Sequence, residues 1–154
     1  MIAVLQRVNS ATVYADGAFS GSISSGLYIL LGVEKDDTEK DAELLSEKIS
    51  KLRIFCDEND KMNLSVMDVD GEIMVVSNFT LNANYAHGNR PDYLSGAAPA
   101  EAERLYLYFL ELISHKVKHC ASGKFGADMR TELSTNGPVT IVMNSAVLNK
   151  NKRS

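Results

Sequence analysis

The chain has 154 residues, 45% hydrophobic and 23% charged, which suits one globular domain better than two. No apolar run reaches the roughly 18 residues of a membrane-spanning helix, and the N-terminus lacks the basic head and long apolar stretch of a signal peptide. The net charge of −4 argues against nucleic acid as a partner, and the two cysteines, Cys56 and Cys120, form neither a disulfide scaffold nor a metal-ligand pattern.

Strand-like segments open the chain, Ile2 to Val8 and Ala11 to Tyr14, followed across an Asp16-Gly17 turn by Ala18 to Ile23. Leu27 to Val33 reads as a buried strand between glycines. Thr38, with Asp41 three residues on, predicts a capped helix start. Ala42, Leu45, Ile49 and Leu52 define its apolar face, and it is expected to end near Arg53. Ile54-Phe55-Cys56 reads as a short strand with Cys56 in the core. Asn63 to Met67 and Glu72 to Phe79 are expected to form a hairpin across Asp70-Gly71.

Residues 82–99 show little periodicity and hold Gly88, Pro91, Gly96 and Pro99; loops this long are usually functional or mobile. A second helix is predicted from Pro99, with Ala102, Leu105, Phe109, Leu112, Ile113 and Lys116 in its stripe. Strands are expected around Val117 to Ser122, Met129 to Ser134 and Val139 to Met143, with Asn136-Gly137-Pro138 as a turn. This order is not a regular βαβ repeat. It predicts an α+β fold, with a barrel-like, mostly antiparallel or mixed sheet and two long helices. The domain is expected to span 1–144 and a basic tail 145–154.

Charge is unevenly spread. From His115 to Ser154, seven cations (Lys116, Lys118, Lys124, Arg130, Lys150, Lys152 and Arg153) oppose Asp128 and Glu132, a net +5, against −9 for residues 1–114. A basic face toward phosphates and a merely solvated tail both fit this pattern.

No familiar catalytic set is visible. His115 and His119 are four apart, but without a third ligand they read as a surface pair near a helix end. Cys120 lies near Lys118 and His119, which would lower its pKa. No glycine-rich phosphate loop is present. Two segments stand out. In Val75-Val76-Ser77-Asn78-Phe79-Thr80-Leu81 a hydrophobic strand ends in polar residues before the long loop, where backbone amides and hydroxyls either face a ligand or end the strand. In Thr135-Asn136-Gly137-Pro138-Val139-Thr140, a tight turn and a cis Gly-Pro bond are both open.

At these segments the sequence resembles the D-aminoacyl-tRNA deacylases. Agreement runs from Met1 to about Asn144 through Met1-Ile2-Ala3-Val4-Leu5-Gln6-Arg7-Val8, Leu30-Leu31-Gly32-Val33 and Lys51-Leu52-Arg53-Ile54-Phe55. It continues through Lys61-Met62-Asn63-Leu64-Ser65-Val66, Arg90-Pro91, Gly123-Lys124-Phe125-Gly126-Ala127-Asp128-Met129 and Asn136-Gly137-Pro138-Val139-Thr140. The family segment at 77–81 usually reads Ser-Gln-Phe-Thr-Leu; here Asn78 replaces the glutamine. The loop Asn82 to Asn89 has also lost the family's cations ahead of Arg90.

The cysteine usage and the absence of ligand spacing lead to the expectation of a reduced, cytoplasmic protein without cofactor or metal. The resemblance implies a homodimer that hydrolyses the ester of D-aminoacyl-tRNA and to some degree glycyl-tRNA. Gly137 and Pro138 would form a cis pair reaching from one subunit into the other's pocket, where they reject an L side chain. Arg7 would hold that motif in place. Ser77 and Asn78 would lie against the substrate, and the backbone amides of Phe79 and Thr80 would stabilise the oxyanion. Lys116, Lys118 and Lys124 would contact tRNA phosphates. Two alternatives remain at this level: a same-fold editor of small L-aminoacyl-tRNA, and a non-catalytic RNA-binding module.

Overall fold

The computed structural model describes residues 1–150, so Lys152 and Arg153 of the basic tail lie outside the described residues. Its elements run β1 (Ile2–Ala15), β2 (Ala18–Ile23), β3 (Gly26–Gly32), α1 (Glu39–Lys51), β4 (Phe55–Cys56), β5 (Met62–Leu64) and β6 (Glu72–Ser77). A single 3-10 turn (Phe79–Asn82) follows, then α2 (Pro99–Ser114), β7 (Cys120–Ser122), β8 (Met129–Asn144) and α3 (Ser145–Leu148).

The hub is β1. One edge pairs antiparallel with β8 along its length; the other pairs with β3 in its first half and β2 in its second. Asp16 and Gly17 join β1 to β2 with positive φ (49° and 81°), the left-handed conformation that Asp-Gly hairpin turns use. Beyond β3 the pairing becomes parallel, β3 to β6 and β6 to β7. Parallel neighbours need long crossovers, and the segments carrying α1 and α2 supply them. β2 returns against β7, where Ser20 Oγ donates to Ser122 O at 2.8 Å. The result is a nearly closed mixed barrel, the α+β architecture expected, with α3 as a short third helix.

Because helices cover one face of β3 and β6 and the barrel interior the other, both strands are apolar throughout. Leu27, Ile29, Ile73 and Val75 meet Leu45, Ile49, Leu105 and Phe109 on the helix side. Tyr28, Met74 and Val76 join Val8, Val13 and Ile23 inside the barrel. At the start of α1, Asp41 Oδ2 accepts from Thr38 N (2.9 Å) and Thr38 Oγ1 (3.2 Å), which closes the first turn.

Several expectations need correction. The two opening strands are one, with irregular register between Gln6 and Ser10. Residues 63–67 and 72–79 do not form a hairpin: β5 pairs with β4, and β6 lies parallel to β3. The Asp70-Gly71 turn is real, with Asp70 at φ 52°, but it feeds a crossover. Asn136-Gly137-Pro138 does not reverse the chain either, since β8 continues through it. Cys56 is exposed rather than in the core. Within the stretch assigned to a tail, Ser145 is buried; its backbone N–H donates to Met1 O at 2.9 Å and its Oγ to Asp41 Oδ1 at 2.8 Å. Residues 145–149 therefore pack on the body.

Gly26 is the tightest point of the parallel pairing, because a Cβ there would sit 1.8 Å from Glu72 O. Gly26→Ala is expected to lower stability by about 3 kcal/mol or more, the upper end for overpacking, because rigid backbone must move. Urea unfolding measures this, and an unchanged midpoint would show that the β3–β6 approach is not tight.

Candidate active site

Where β3 and β6 end, the sheet leaves a pocket of about 650 Å³. Tyr28, Leu30 and Val76 form its apolar floor, and Ser77, Asn78 and Phe79 its polar edge. Tyr93, Gly96 and Ala97 of the long loop, the first turns of α2, and Phe125 to Ala127 complete the wall. Among the described residues, the lining carries no imidazole, thiol, carboxylate or amine. Its ionisable side chains are phenols, and burial pushes Tyr106 up to about 12, so it stays protonated and donates to Val75 O at 3.0 Å.

Asn78 ends the strand. Its N–H donates to Leu31 O (2.8 Å), the last ladder bond toward β3. Its side chain then caps the 3-10 turn: Oδ1 accepts from Thr80 N at 3.2 Å and from Thr80 Oγ1 at 2.5 Å. Thr80 N–H is thus shared with Asn78. Phe79 N–H has no hydrogen-bond partner among the described residues. The Thr80 hydroxyl faces an amide oxygen, which accepts a hydrogen bond but cannot serve as a base.

The second segment lies elsewhere. On β8, four residues, 136–139, stand opposite the single residue Arg7 of β1, because Gln6 pairs with Thr140 and Val8 with Thr135. This bulge carries Gly137 and Pro138 outward, both exposed and joined by a cis peptide bond. Gly137 has φ 135°, and a Cβ there would lie 2.6 Å from Val139 N, so only glycine fits. Arg7, 9% exposed, anchors the bulge: Nε donates to Asn136 O (3.1 Å) and Nη1 to Ile54 O (2.8 Å). Gly137, Pro138 and Arg7 do not line the pocket of their own chain.

The three lysines part company. Lys116 Nζ is 2.7 Å from Glu47, whose carboxyl is held down to about 2 by hydrogen bonds from Lys116 and Lys51. Lys118 pairs with Asp70 at 3.3 Å. Lys124 has no ion pair among the described residues and precedes pocket-wall residues Phe125 and Gly126. His119 Nε2 lies 2.9 Å from Ser22 O and 3.9 Å from Glu72. No metal-holding cluster occurs among the described residues. Burial raises the Cys120 thiol to about 11, opposite to the direction its basic neighbours suggested.

Sequence reasoning missed the aromatic lining, Tyr28, Tyr93 and Tyr106. The position of Tyr106 beside the apolar stripe of α2 was its one signal. It also missed Asn82, buried at the wall, whose Nδ2 donates to Val33 O at 2.9 Å.

A family model described as D-Tyr-tRNA(Tyr) deacylase matches residues 4–144. Proteins named D-aminoacyl-tRNA deacylase are similar over nearly the whole chain. That of Clostridium botulinum (strain Eklund 17B) is 46% identical, covering 95% of this chain and 98% of its own. That of Koribacter versatilis is 50% identical, covering 94% and 97%. Among solved structures, the c-Myc DNA Unwinding Element Binding Protein superposes with a TM-score of 0.88 at 39% identity, covering 94% of this chain and 98% of that one. A probable eukaryotic D-amino acid tRNA deacylase gives 0.82 at 13% identity, a likeness of fold, covering 92% and 97%.

Proposed function

The chain belongs to the D-Tyr-tRNA(Tyr) deacylase family, and from that premise we propose that it is a hydrolase freeing tRNA from D-amino acids by cleaving their ester to the terminal ribose. The observation that carries the mechanism is the pocket wall, whose lining among the described residues offers hydroxyls and phenols but no imidazole, thiol, carboxylate or amine. An aminoacyl ester is already activated, and its neighbouring ribose hydroxyl assists the attack of water. The protein need only orient the ester and stabilise the oxyanion. Phe79 N–H is the free donor for that role, and Thr80 N–H, shared with Asn78, is the second. One oxyanion donor is worth about 10²–10³ in rate.

Chirality is read by a second copy of the chain. The Gly137–Pro138 bulge, absent from its own pocket and fixed by Arg7, projects into the partner's pocket. Its carbonyl oxygens there exclude an L side chain. Glycine has no side chain to exclude, so glycyl-tRNA is a secondary substrate. The surface for that partner is continuous with the pocket. Val142 of β8 pairs with Val4, Val4 with Leu30 and Leu30 with Val76, one row on one face. Leu30 and Val76 line the pocket, and Val142 is 73% exposed, an apolar edge suited to burial between copies. Of the three lysines, only Lys124 is placed to meet tRNA phosphate without giving up a carboxylate partner.

Deacylation of D-tyrosyl-, L-tyrosyl-, glycyl- and L-alanyl-tRNA tests the reading. Loss of the D ester with the L-tyrosyl ester spared is expected; release of L-alanine would favour the editor of small L-amino acids, and no hydrolysis the RNA-binding module. Thr80→Ala retains the backbone N–H and is expected to keep turnover within about threefold, well short of losing an oxyanion donor. Complete loss with an intact fold would make the Thr80 hydroxyl the nucleophile instead.

A further inference from the structure

The long loop after the 3-10 turn carries one exposed aromatic side chain, Tyr85, that does not line the pocket. Asn84 and Asp92 close the loop at its base, with Asn84 N donating to Asp92 O (2.8 Å) and Asp92 N to Asn84 O (3.0 Å). Their side chains meet on one face, Asn84 Nδ2 to Asp92 Oδ2 at 3.3 Å. Tyr85 and Tyr93 each follow one member of this bridge. Tyr93 packs its ring edgewise on Phe79, with centroids 5.1 Å apart, and both line the pocket. Tyr85, on the other limb of the loop and outside the pocket lining, is 82% exposed.

We propose that Tyr85 is a stacking platform for the unpaired nucleotides just before the terminal adenosine of the tRNA substrate. The inference rests on the deacylase reading, which places the terminal ribose at the pocket mouth. Covalent connectivity then brings the preceding bases across the adjoining rim. That rim carries little charge, since the exposed Arg90 is the single lysine or arginine between Phe79 and Asp92. One cation can position a phosphate but leaves the bases themselves unheld. An aromatic ring can hold them, because every base presents a π-face and stacking tolerates any sequence. The Asn84–Asp92 bridge fixes the backbone beside Tyr85 before the substrate arrives, so only the side chain is left to order on binding.

The test compares wild type, Tyr85→Ala and Tyr85→Phe on two esters, full-length D-tyrosyl-tRNA and D-tyrosyl-adenosine, which lacks the preceding nucleotides. Tyr85→Ala should lose about tenfold in kcat/KM on the tRNA, mainly through KM and equally at low and high salt, as expected for a lost stack. It should be unchanged on D-tyrosyl-adenosine, and Tyr85→Phe should restore the tRNA rate. Equal losses on both esters would mean a disturbed pocket, and no loss on tRNA would mean no contact; either overturns the proposal. Wild-type protein that cleaves neither ester overturns the deacylase reading itself, a result separable from an unchanged Tyr85→Ala.

Discussion

A buried guanidinium anchors the irregular join of the two longest strands of this molecule. Arg7 sits on the hub strand with no carboxylate partner among the described residues, and its oxygen partners there are the backbone carbonyls of Asn136 and Ile54. A cation removed from water is costly unless its donors are satisfied. Asn136 O and Ile54 O meet that need from two directions, one on β8 and one just before β4. The planar fork of arginine suits two carbonyls at once, which the single ammonium of lysine would not reproduce. Four residues of β8 therefore stand out from the ladder opposite one residue of β1, and Gly137 and Pro138 are displayed on that bulge.

The pocket arises from a separate constraint. Parallel pairing of β3 and β6 buries both faces of each strand, so polar groups gather where the strands stop. The ladder ends at Asn78, and the side chain that ends it also shapes the turn bearing the candidate oxyanion donors. A shorter amide than the family's usual glutamine suits this cap, because the Asn78 side chain folds back two residues onto Thr80. The remaining wall is apolar and aromatic. The pocket and the displayed bulge thus sit at different places on the same chain.

Much of the fold was legible in the sequence because its signals are local. Thr38 with Asp41, the stripe from Leu45 to Ile49 and Pro99 at the head of α2 each act within a turn or two. Turn chemistry was less informative. Asp70-Gly71 and Asn136-Gly137-Pro138 have the composition of reversals, but one feeds a parallel crossover and the other lies within a strand. Which strands pair is decided by contacts remote in sequence, and no local pattern encodes them. The same holds for Lys116 and Lys118, whose partners Glu47 and Asp70 lie 69 and 48 residues away, and for Cys120, where burial outweighs the basic neighbours. Ser77 to Thr80 stood out as polar residues ending an apolar strand, whereas Gly137 and Pro138 gained a role only through family resemblance. The aromatic wall went unseen because Tyr28, Tyr93 and Tyr106 belong to three separate elements.

The account stands on a site completed by two copies of the chain, and the interface variant Val142→Glu tests it most directly. Sedimentation and deacylation should be followed on the same sample. The expected result is a folded monomer that no longer spares L-tyrosyl-tRNA relative to its D counterpart, or has lost activity altogether. A folded monomer that still cleaves the D ester and spares the L ester would contradict the account, because one chain alone would then be reading chirality.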